Sequence, residues 1–253
     1  MAGQASRMVK TGFSGFPTEG MQFFRSLARN NRREWFQPRK QTYDEQLKAP
    51  MMELVTALNA EMMRFAPNYV AEPAKAIYRL YRDTRFSKDK TPYKTHIAAI
   101  FPRRGLVKHE GAGLYFSVSA KEIEVAGGVY MPGPDALLAI RTHLAERHEE
   151  FTRIVESRKL RALMGNLQGE QLSRVPKGFP CDHAAADLLR YKQWLFYVML
   201  DPALATTPKL LAEIRKRFEA MMPFLDLLNQ PLVRAAKRPK IGFESGPAYN
   251  DFR

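Results

Sequence analysis

Short segments rich in β-branched and aromatic residues fill the middle of the chain, and helical patterns flank them on both sides. Four such segments, each bounded by turn-forming residues, are predicted to be strands: residues 76–80, 96–101, 114–119 and 122–130. Residues 195–200, which lie among the later helical patterns, form either a buried strand or a helix core, and their β-branched and aromatic content favours a fifth strand. The third and fourth are close enough in sequence to form a hairpin. Gly127 and Gly128 inside the fourth segment indicate a bulge or a close approach of another backbone.

The flanking segments show apolar residues at helical spacing. Those before the strands are residues 18–29, 33–36, 43–47 and 50–63, and those after them are 135–157, 182–191 and 208–228. This order predicts an α+β fold: a mainly antiparallel sheet with helices packed on one face, and with N-terminal and C-terminal helical layers. We expect residues 13–232 to form a single domain, with residues 1–12 and 233–253 as flexible tails.

The chain is strongly basic, with a net charge of +14. Residues 1–12 contribute +2 to this charge and residues 231–253 contribute +3, so most of the excess lies on the predicted domain. Such an excess favours anionic partners, which include phosphates, nucleic acids and anionic substrates. The alternative is that the charge serves only to keep the protein soluble.

Several features point to the cytoplasm. The single cysteine, Cys181, cannot form an internal disulfide, and residues 1–16 lack the apolar core of a secretory leader. The longest aliphatic and aromatic run, residues 194–200, is far shorter than a membrane span. We therefore expect a cytoplasmic protein that does not associate with membranes. Its oligomeric state stays open at this stage.

Common catalytic and cofactor motifs are absent from the sequence. It contains no phosphate-binding P-loop, no dinucleotide fingerprint, no nucleophile elbow and no zinc-protease motif. His143, Glu146 and Glu150 share helical spacing that could hold a metal, but a solvated polar face explains them better. We predict neither a metal nor a cofactor, and whether the protein is an enzyme stays open.

One segment concentrates both charge and aromatic residues. Residues 79–94, RLYRDTRFSKDKTPYK, contain six cations and two carboxylates within sixteen positions. Tyr81, Phe86 and Tyr93 alternate with the charges, which is typical of a structured loop and not of a flexible basic tail. We call residues 79–94 the basic segment.

Arginine and lysine in such a segment suit the binding of phosphate or carboxylate groups, because guanidinium forks bind these groups through two hydrogen bonds. The predicted anion-binding residues of the basic segment are Arg79, Arg82, Arg85, Lys90 and Lys94. Asp83, Asp89 and Tyr93 are the candidate catalytic groups, with the aspartates either orienting the cations or acting as a base. The alternative is a structural network of ion pairs that ties the segment to the helices.

A second basic set lies near residue 175. Pro176, Lys177 and Gly178 suit a tight turn that presents the lysine, and Arg174 precedes it. Arg174 and Lys177 are therefore further candidates for anion binding. The alternative is an ordinary surface turn.

The stretch RDTRFSKDKTPYKT, residues 82–95, resembles the hallmark of a widespread bacterial and fungal family known as domain of unknown function 2461. Three further stretches agree with that family: NNRREWF at 30–36 with Tyr43 downstream, GVY at 128–130, and RVPKGFPCDH at 174–183 followed by LLRYK at 188–192. The resemblance covers roughly residues 13–232 and implies one domain. It implies no reaction, because the family has none assigned.

Three functions remain in competition. The first is an enzyme or ligand-binding protein that recognises a phosphate- or carboxylate-bearing compound through the basic segment, with Tyr130 also in the site. It requires these side chains to meet in one concave site. The second is a nucleic-acid-binding protein, although no known reader motif is present. The third is a structural or interaction module in which the basic segment binds no ligand.

Overall fold

The computed structural model describes residues 12–85 and 87–237. Its strands are β1 His96–Phe101, β2 Gly113–Ser119, β3 Ile123–Val129 and β4 Trp194–Leu200. Its α-helices are α1 Thr18–Arg29, α2 Arg33–Phe36, α3 Lys40–Tyr43, α4 Ala49–Met62, α5 Pro73–Ala76, α6 Pro134–Glu146, α7 His148–Val155, α8 Arg158–Met164, α9 Ala186–Leu189 and α10 Lys209–Lys237. Short 3₁₀ helices lie at Gln37–Arg39, Pro67–Tyr69 and Pro202–Thr206, and a π-helical turn lies at Asp44–Lys48. The predicted tails fall outside the described residues except at Gly12 and residues 233–237.

The four strands form one antiparallel sheet in the order β1-β2-β3-β4. The predicted hairpin is present, since β2 and β3 pair directly and are joined by a tight turn. In the turn, the Ser119 hydroxyl accepts hydrogen bonds from the backbone N–H groups of Lys121 and Glu122 at 3.1 and 3.0 Å. The predicted α+β fold is therefore confirmed, with four of the five predicted strands in place.

Helices cover one face of this sheet. Because side chains alternate between the two faces of a strand, every second residue of each strand points toward these helices. Phe116, Val125 and Phe196 are fully buried on the covered face. The ring of Phe218 in α10 lies 6.5 Å from that of Phe116, and Phe224 lies 5.0 Å from Phe196. Full burial of one such side chain stabilises the fold by about 1.5–3 kcal/mol. The opposite face of the sheet is left open.

The N-terminal helical layer holds the basic segment in place. The ring of Phe36 packs against Phe23 of α1 and stacks on Tyr93 at 4.3 Å. Asn31 donates a hydrogen bond to the Tyr93 carbonyl at 2.8 Å and accepts one from the Tyr93 N–H at 3.0 Å. The segment is thus anchored to the helices through its last residues.

The predicted strand at residues 76–80 is wrong. The helix α5 ends at Ala76, and only Ile77 forms a β-bridge with β1, opposite Ala99. The chain then leaves the sheet, because the basic segment pairs with itself: Tyr81 forms a bridge with Tyr93. Local pairing within residues 77–94 therefore replaces the fifth strand.

The helices also differ from prediction at their ends. The predicted helix 135–157 is divided into α6 and α7 at Arg147, where a break lets Phe151 pack at 5.9 Å from Phe224. The predicted helix 182–191 shrinks to the four residues of α9. The last helix continues beyond residue 228 to Lys237, since the buried side chain of Leu232 extends its apolar stripe. No helix within residues 12–85 and 87–237 combines the length and apolar character needed to cross a membrane.

Gly128 allows β3 and β4 to approach closely. Its φ is 132°, and a Cβ at this position would lie 2.0 Å from the Trp194 carbonyl oxygen. The pairing of β3 with β4 runs through Gly128 without interruption, opposite Leu195. The predicted close approach of backbones is therefore confirmed, and the alternative of a bulge is not.

Candidate functional site

The open face of the sheet forms the floor of a hollow of about 400 Å³, which we call the sheet pocket. This volume is within the range of sites that bind small molecules. Four floor positions carry a small side chain or none: Ala98, Gly113, Ala126 and Gly128. Because no long side chain rises from these positions, the hollow stays open above the backbone of three strands.

Tyrosines form much of the wall of the sheet pocket. Tyr115 comes from β2, Tyr197 from β4, Tyr78 from the chain before β1, and Tyr130 from the end of β3. The rings of Tyr78 and Tyr115 are 6.4 Å apart. Tyr130 and Tyr197 are 55% and 40% exposed, so their rings offer contact area that the described part of the chain leaves uncovered. Aromatic rings with a hydroxyl suit a ligand that has both apolar and polar parts.

Two lysines lie over the ring of Tyr78: Lys94 lines the sheet pocket, and Lys108 adjoins it next to the lining residue His109. The Lys94 Nζ is 4.9 Å from the ring centre, and the Lys108 Nζ is 4.4 Å from it. Burial, followed by the charges of Arg79 and Lys108, lowers the pKa of Lys94, and burial lowers the pKa of Lys108. Within residues 12–85 and 87–237, neither ammonium group forms an ion pair with a carboxylate.

His109 stands beside this pair of lysines. Its imidazole stacks on Tyr78, and its Nε2 lies 3.4 Å from the Tyr78 hydroxyl. Burial, followed by the charge of Lys108, lowers the pKa of His109. Its φ is 74°, the one positive value at a non-glycine residue in the described part of the chain. Such a conformation costs about 1–3 kcal/mol and persists where the surroundings enforce it, often at functional sites.

The loop that carries Lys108 and His109 is fixed at its end by a buried side chain of α10. Asn229 accepts a hydrogen bond from the Ala112 N–H at 2.8 Å and donates one to the Ala112 carbonyl at 2.9 Å. It also donates to the Tyr69 hydroxyl at 2.9 Å. All three residues are buried, so these bonds are protected from water.

Acid–base groups complete the sheet pocket. Burial, followed by the neighbouring charge of Glu122, raises the pKa of Glu124. Burial and then the charge of Lys94 lower the pKa of His96, while Glu122 acts in the opposite direction. Groups with shifted pKa values that share one cavity are typical of functional sites. A carboxyl group and an imidazole can act as a general acid or a general base.

The basic segment uses several of its charges internally. Arg82 donates hydrogen bonds to the Asp89 carboxylate and to the Thr91 hydroxyl. Arg85 binds Asp83 through two hydrogen bonds of 3.0 and 2.8 Å. Hydrogen bonds from Arg85 lower the pKa of Asp83 to about 2, and those from Arg82 and Thr91 lower the pKa of Asp89 to about 2.

Lys90 also contacts its own segment, since its ammonium donates a hydrogen bond to the Thr84 carbonyl at 2.9 Å. Tyr93 is 1% exposed within the N-terminal layer, and burial raises its pKa. The ion pairs lie within the segment, whereas the ion-pair interpretation expects a network that ties the segment to the helices; the described contacts with the helical layer involve the Tyr93 backbone and ring. The catalytic and anion-binding roles of the residues concerned stay predictions.

The structure brings two of the expected site residues together in the sheet pocket, Lys94 and Tyr130. Arg79 is exposed, and it lies close enough to Lys94 for its charge to lower the pKa of that lysine. Arg174 and Lys177 are exposed, and neither lines the sheet pocket. The expected convergence of the basic segment with these two residues is therefore not seen, and their anion-binding role also stays a prediction.

Five residues in or beside the sheet pocket were not predicted from the sequence: Tyr78, His96, Lys108, His109 and Glu124. A signal for some of them exists in the alternation of the strands, since His96 and Glu124 occupy positions on the face opposite the apolar core. A second signal is the pair Lys108–His109 in a loop bounded by Gly105 and Gly111. Tyr78 lies in the predicted strand at residues 76–80, which does not form.

The weak metal constellation on the predicted long helix is broken by the structure. His143 is buried in α6, whereas Glu150 lies in α7 and forms an ion pair with Arg147 at 2.9 Å. Residues 12–85 and 87–237 contain no group of three histidine, cysteine, aspartate or glutamate side chains placed to hold a metal ion.

Fold and pocket together describe an α+β protein with a ligand-sized hollow on the open face of an antiparallel sheet. The family model described as conserved hypothetical protein DUF2461 matches residues 19–227, and the chain belongs to this family. The match contains the whole basic segment and every side chain of the sheet pocket. No curated protein and no solved structure matches the chain.

Proposed function

We propose that the protein binds a small molecule bearing a phosphate or carboxylate group in the sheet pocket. The observation that carries the proposal is the position of Lys94 and Lys108. Both ammonium groups lie within 5 Å of the Tyr78 ring centre, at 4.9 and 4.4 Å, and neither has a carboxylate partner in the described part of the chain.

The electrostatics of the rim favour an anion. Burial lowers the pKa of both lysines, and repulsion from the charges of Arg79 and Lys108 lowers the pKa of Lys94 further. An anionic group between them offsets this repulsion and restores the protonated state. Arg79, which also lowers the pKa of Lys94, adds a further positive charge nearby.

The rest of the ligand is expected to be flat and partly apolar. Residues with small side chains, or none, lie beneath it, at Ala98, Ala126 and Gly128, and tyrosine rings stand around it. Aromatic walls favour planar groups through stacking and edge contacts. Glu124, His96 and His109 lie in the same pocket, so the proposal extends to them as candidate acid–base groups for a reaction on the bound molecule.

A second candidate function, the binding of single-stranded nucleic acid, is favoured by one specific observation. The open face of the four-stranded sheet carries exposed aromatic side chains, including Tyr197, beside basic groups. Proteins that bind single strands combine aromatic stacking platforms with positive grooves. The net charge of +14 is consistent with such a partner.

We further propose that this binding takes place in the cytoplasm. The single cysteine, Cys181, is an exposed free thiol. Free thiols of this kind persist in reducing compartments, whereas oxidising compartments favour disulfides.

Thermal unfolding with a panel of anions tests the proposal. The panel contains nucleotides, sugar phosphates, aromatic carboxylates and a short oligonucleotide, and a ligand at a hundred times its Kd should stabilise the protein by about 2.7 kcal/mol. Lys94→Gln and Lys108→Gln should each reduce the shift. Lys159→Gln, which removes an equal charge from an exposed position on α8, should retain it.

Two outcomes would contradict the proposal. One is the absence of a shift with every anion. The other is a shift that survives in the Lys94→Gln/Lys108→Gln double variant but is lost in Arg82→Gln/Arg85→Gln, which would place the site in the basic segment. Binding of the oligonucleotide alone, with an affinity that falls steeply with salt, would favour the second candidate function.

A further inference from the structure

We infer that the ligand of the sheet pocket carries a second anionic group, held by Arg25 and Arg29 of α1 in an adjoining hollow. This inference rests on the proposed function, in which Lys94 and Lys108 hold the first anionic group. The adjoining hollow, which we call the α1 hollow, has a volume of about 520 Å³.

The two arginines share one face of α1. Phe24 and Leu27 point inward and are buried, whereas Arg25 and Arg29 are exposed and line the α1 hollow. Residues four positions apart in a helix are neighbours on its surface, so both guanidinium groups project toward the same space. The opposite wall is the turn between β2 and β3, where the hydrogen bonds to Ser119 fix the backbone of the lining residue Lys121.

The charge of the α1 hollow is not balanced from within. Neither Arg25 nor Arg29 forms an ion pair or a side-chain hydrogen bond within residues 12–85 and 87–237. Like charges four residues apart destabilise a helix. The C-terminal end of α1 favours the cation at Arg29, in the last turn, but this effect fades beyond that turn. Three cations line the hollow, those of Arg25, Arg29 and Lys121. The described lining contains one carboxylate to balance them, that of Glu122.

Three consecutive residues connect the two hollows. Lys94 lines the sheet pocket, Thr95 lines the α1 hollow, and His96 lines both. Two residues of extended chain span about 7 Å, so a ligand needs only a short chain of bonds to reach from one hollow into the other. The imidazole of His96 therefore stands where the linking part of such a ligand would pass.

The chemistry that fits both hollows is a chain of linked phosphate groups. Guanidinium forks bind phosphate oxygens through paired hydrogen bonds, and lysines act as point charges beside them. The same chemistry occurs in a nucleoside polyphosphate and in the backbone of a short single strand. In either case the flat base would occupy the space among the tyrosines, and the phosphates would extend toward α1.

Isothermal titration calorimetry of the full chain with two inorganic probes tests this inference. Orthophosphate reports on one anionic group, and tripolyphosphate reports on linked groups. Arg25→Gln/Arg29→Gln should weaken tripolyphosphate binding about tenfold to a hundredfold, which corresponds to the loss of one or two charged hydrogen bonds. It should leave orthophosphate binding unchanged. Lys94→Gln/Lys108→Gln should weaken the binding of both probes.

The matched control is Arg158→Gln/Lys159→Gln, which removes two positive charges from the exposed surface of α8. At constant ionic strength it should bind both probes as the wild type does. Tighter binding of adenosine triphosphate than of tripolyphosphate would show that the linked phosphates belong to a nucleotide. Tighter binding of a short oligonucleotide than of either would show that they belong to a single-stranded nucleic acid.

Two results would overturn the inference while leaving the proposed function intact. In the first, Arg25→Gln/Arg29→Gln binds tripolyphosphate as tightly as the wild type, although the lysine variant has lost it. In the second, the arginine variant weakens orthophosphate and tripolyphosphate equally, so that all four cations serve one anionic group. Failure of the wild type to bind tripolyphosphate would overturn the inference, and the proposed function would fail with it only if the whole anion panel also gave no thermal shift.

Discussion

Asn229 in α10 binds both backbone polar groups of Ala112, accepting from its N–H at 2.8 Å and donating to its carbonyl at 2.9 Å. These residues are 117 positions apart in the sequence. Ala112 ends the loop that carries Lys108 and His109, and β2 begins at the next residue. One buried side chain of the C-terminal helical layer therefore fixes the rim of the sheet pocket.

Replacing Asn229 by alanine should destabilise the protein strongly. The change leaves the N–H and carbonyl of Ala112 and the hydroxyl of Tyr69 without their partner in a buried environment. Each unsatisfied buried group costs about 1–3 kcal/mol, so we expect the free energy of unfolding to fall by about 3 kcal/mol or more. Urea unfolding measures this loss.

The control is Asn166→Ala, which removes an exposed side chain that accepts one hydrogen bond from Arg161. We expect it to change the stability by less than about 0.5 kcal/mol. In Asn229→Ala, hydrogen exchange at the Ala112 amide should also accelerate. Equal stability of the two variants would show that the buried bonds to Ala112 are replaced by water or by other groups.

The fold was largely accessible from the sequence because its strands have local signatures. Residues 96–101 were predicted with the same bounds as β1; β2 and β4 differ from prediction by one residue at one end, and β3 differs by one residue at each end. The error at residues 76–80 has a physical cause. Residues such as Tyr78 and Leu80 favour extended backbone, but their composition does not indicate which segment they pair with. In the structure the pairing forms within the basic segment, through the Tyr81–Tyr93 bridge, and not with the sheet.

The site was much less accessible. The density of charge at residues 79–94 drew attention to the basic segment, but Arg82 and Arg85 pair with aspartates of the same segment. Lys94 and Lys108 lie over the same tyrosine only because two separate loops meet beside β1. No local sequence pattern predicts that these two loops lie side by side, because their contact depends on the tertiary structure.

Gly128→Ala should destabilise the pairing of β3 with β4. The new Cβ would lie 2.0 Å from the Trp194 carbonyl oxygen, a backbone atom that cannot move without breaking the pairing. With the added strain of a φ of 132°, we expect a loss of about 3 kcal/mol or more in the free energy of unfolding. Urea unfolding provides the measurement.

Gly178→Ala is the matched control for that substitution. Its φ is 96°, also positive, but no atom lies within 4 Å of a Cβ placed there. It should therefore show backbone strain alone, about 1–2 kcal/mol. If the two variants lost equal stability, the clash with Trp194 would be relieved by a movement of the strands.

A carboxyl NMR titration should report on each of the two ion pairs of the basic segment separately, through the pKa of its aspartate. Asp83 and Asp89 should both titrate near pH 2, because hydrogen bonds from Arg85 and Arg82 favour their ionised forms. Arg82→Gln should return the pKa of Asp89 toward its ordinary value of 3.8 and leave Asp83 unchanged. Arg85→Gln should do the reverse. A variant that shifted both carboxyls would reveal one coupled network in place of two separate pairs.

The depressed pKa of His109 should make the protein less stable in mild acid. The folded protein resists protonation of this imidazole, so the unfolded chain binds more protons at pH values between the lowered pKa and the ordinary 6.5. Stability rises with pH wherever the unfolded state binds more protons, and it therefore falls as the pH drops through this window. Urea unfolding between pH 7.5 and 5 should show a steeper loss for the wild type than for His109→Asn, since asparagine tolerates the positive φ.

Phosphate should change this pH dependence if it binds between Lys108 and Lys94. An anion beside His109 stabilises the imidazolium and raises its pKa, which reduces the difference in proton binding between the folded and unfolded states. Saturating phosphate should therefore flatten the wild-type profile and leave that of His109→Asn nearly parallel to its phosphate-free profile. A phosphate effect of equal size in both proteins would place the bound anion away from His109, and so away from the rim formed by the two lysines.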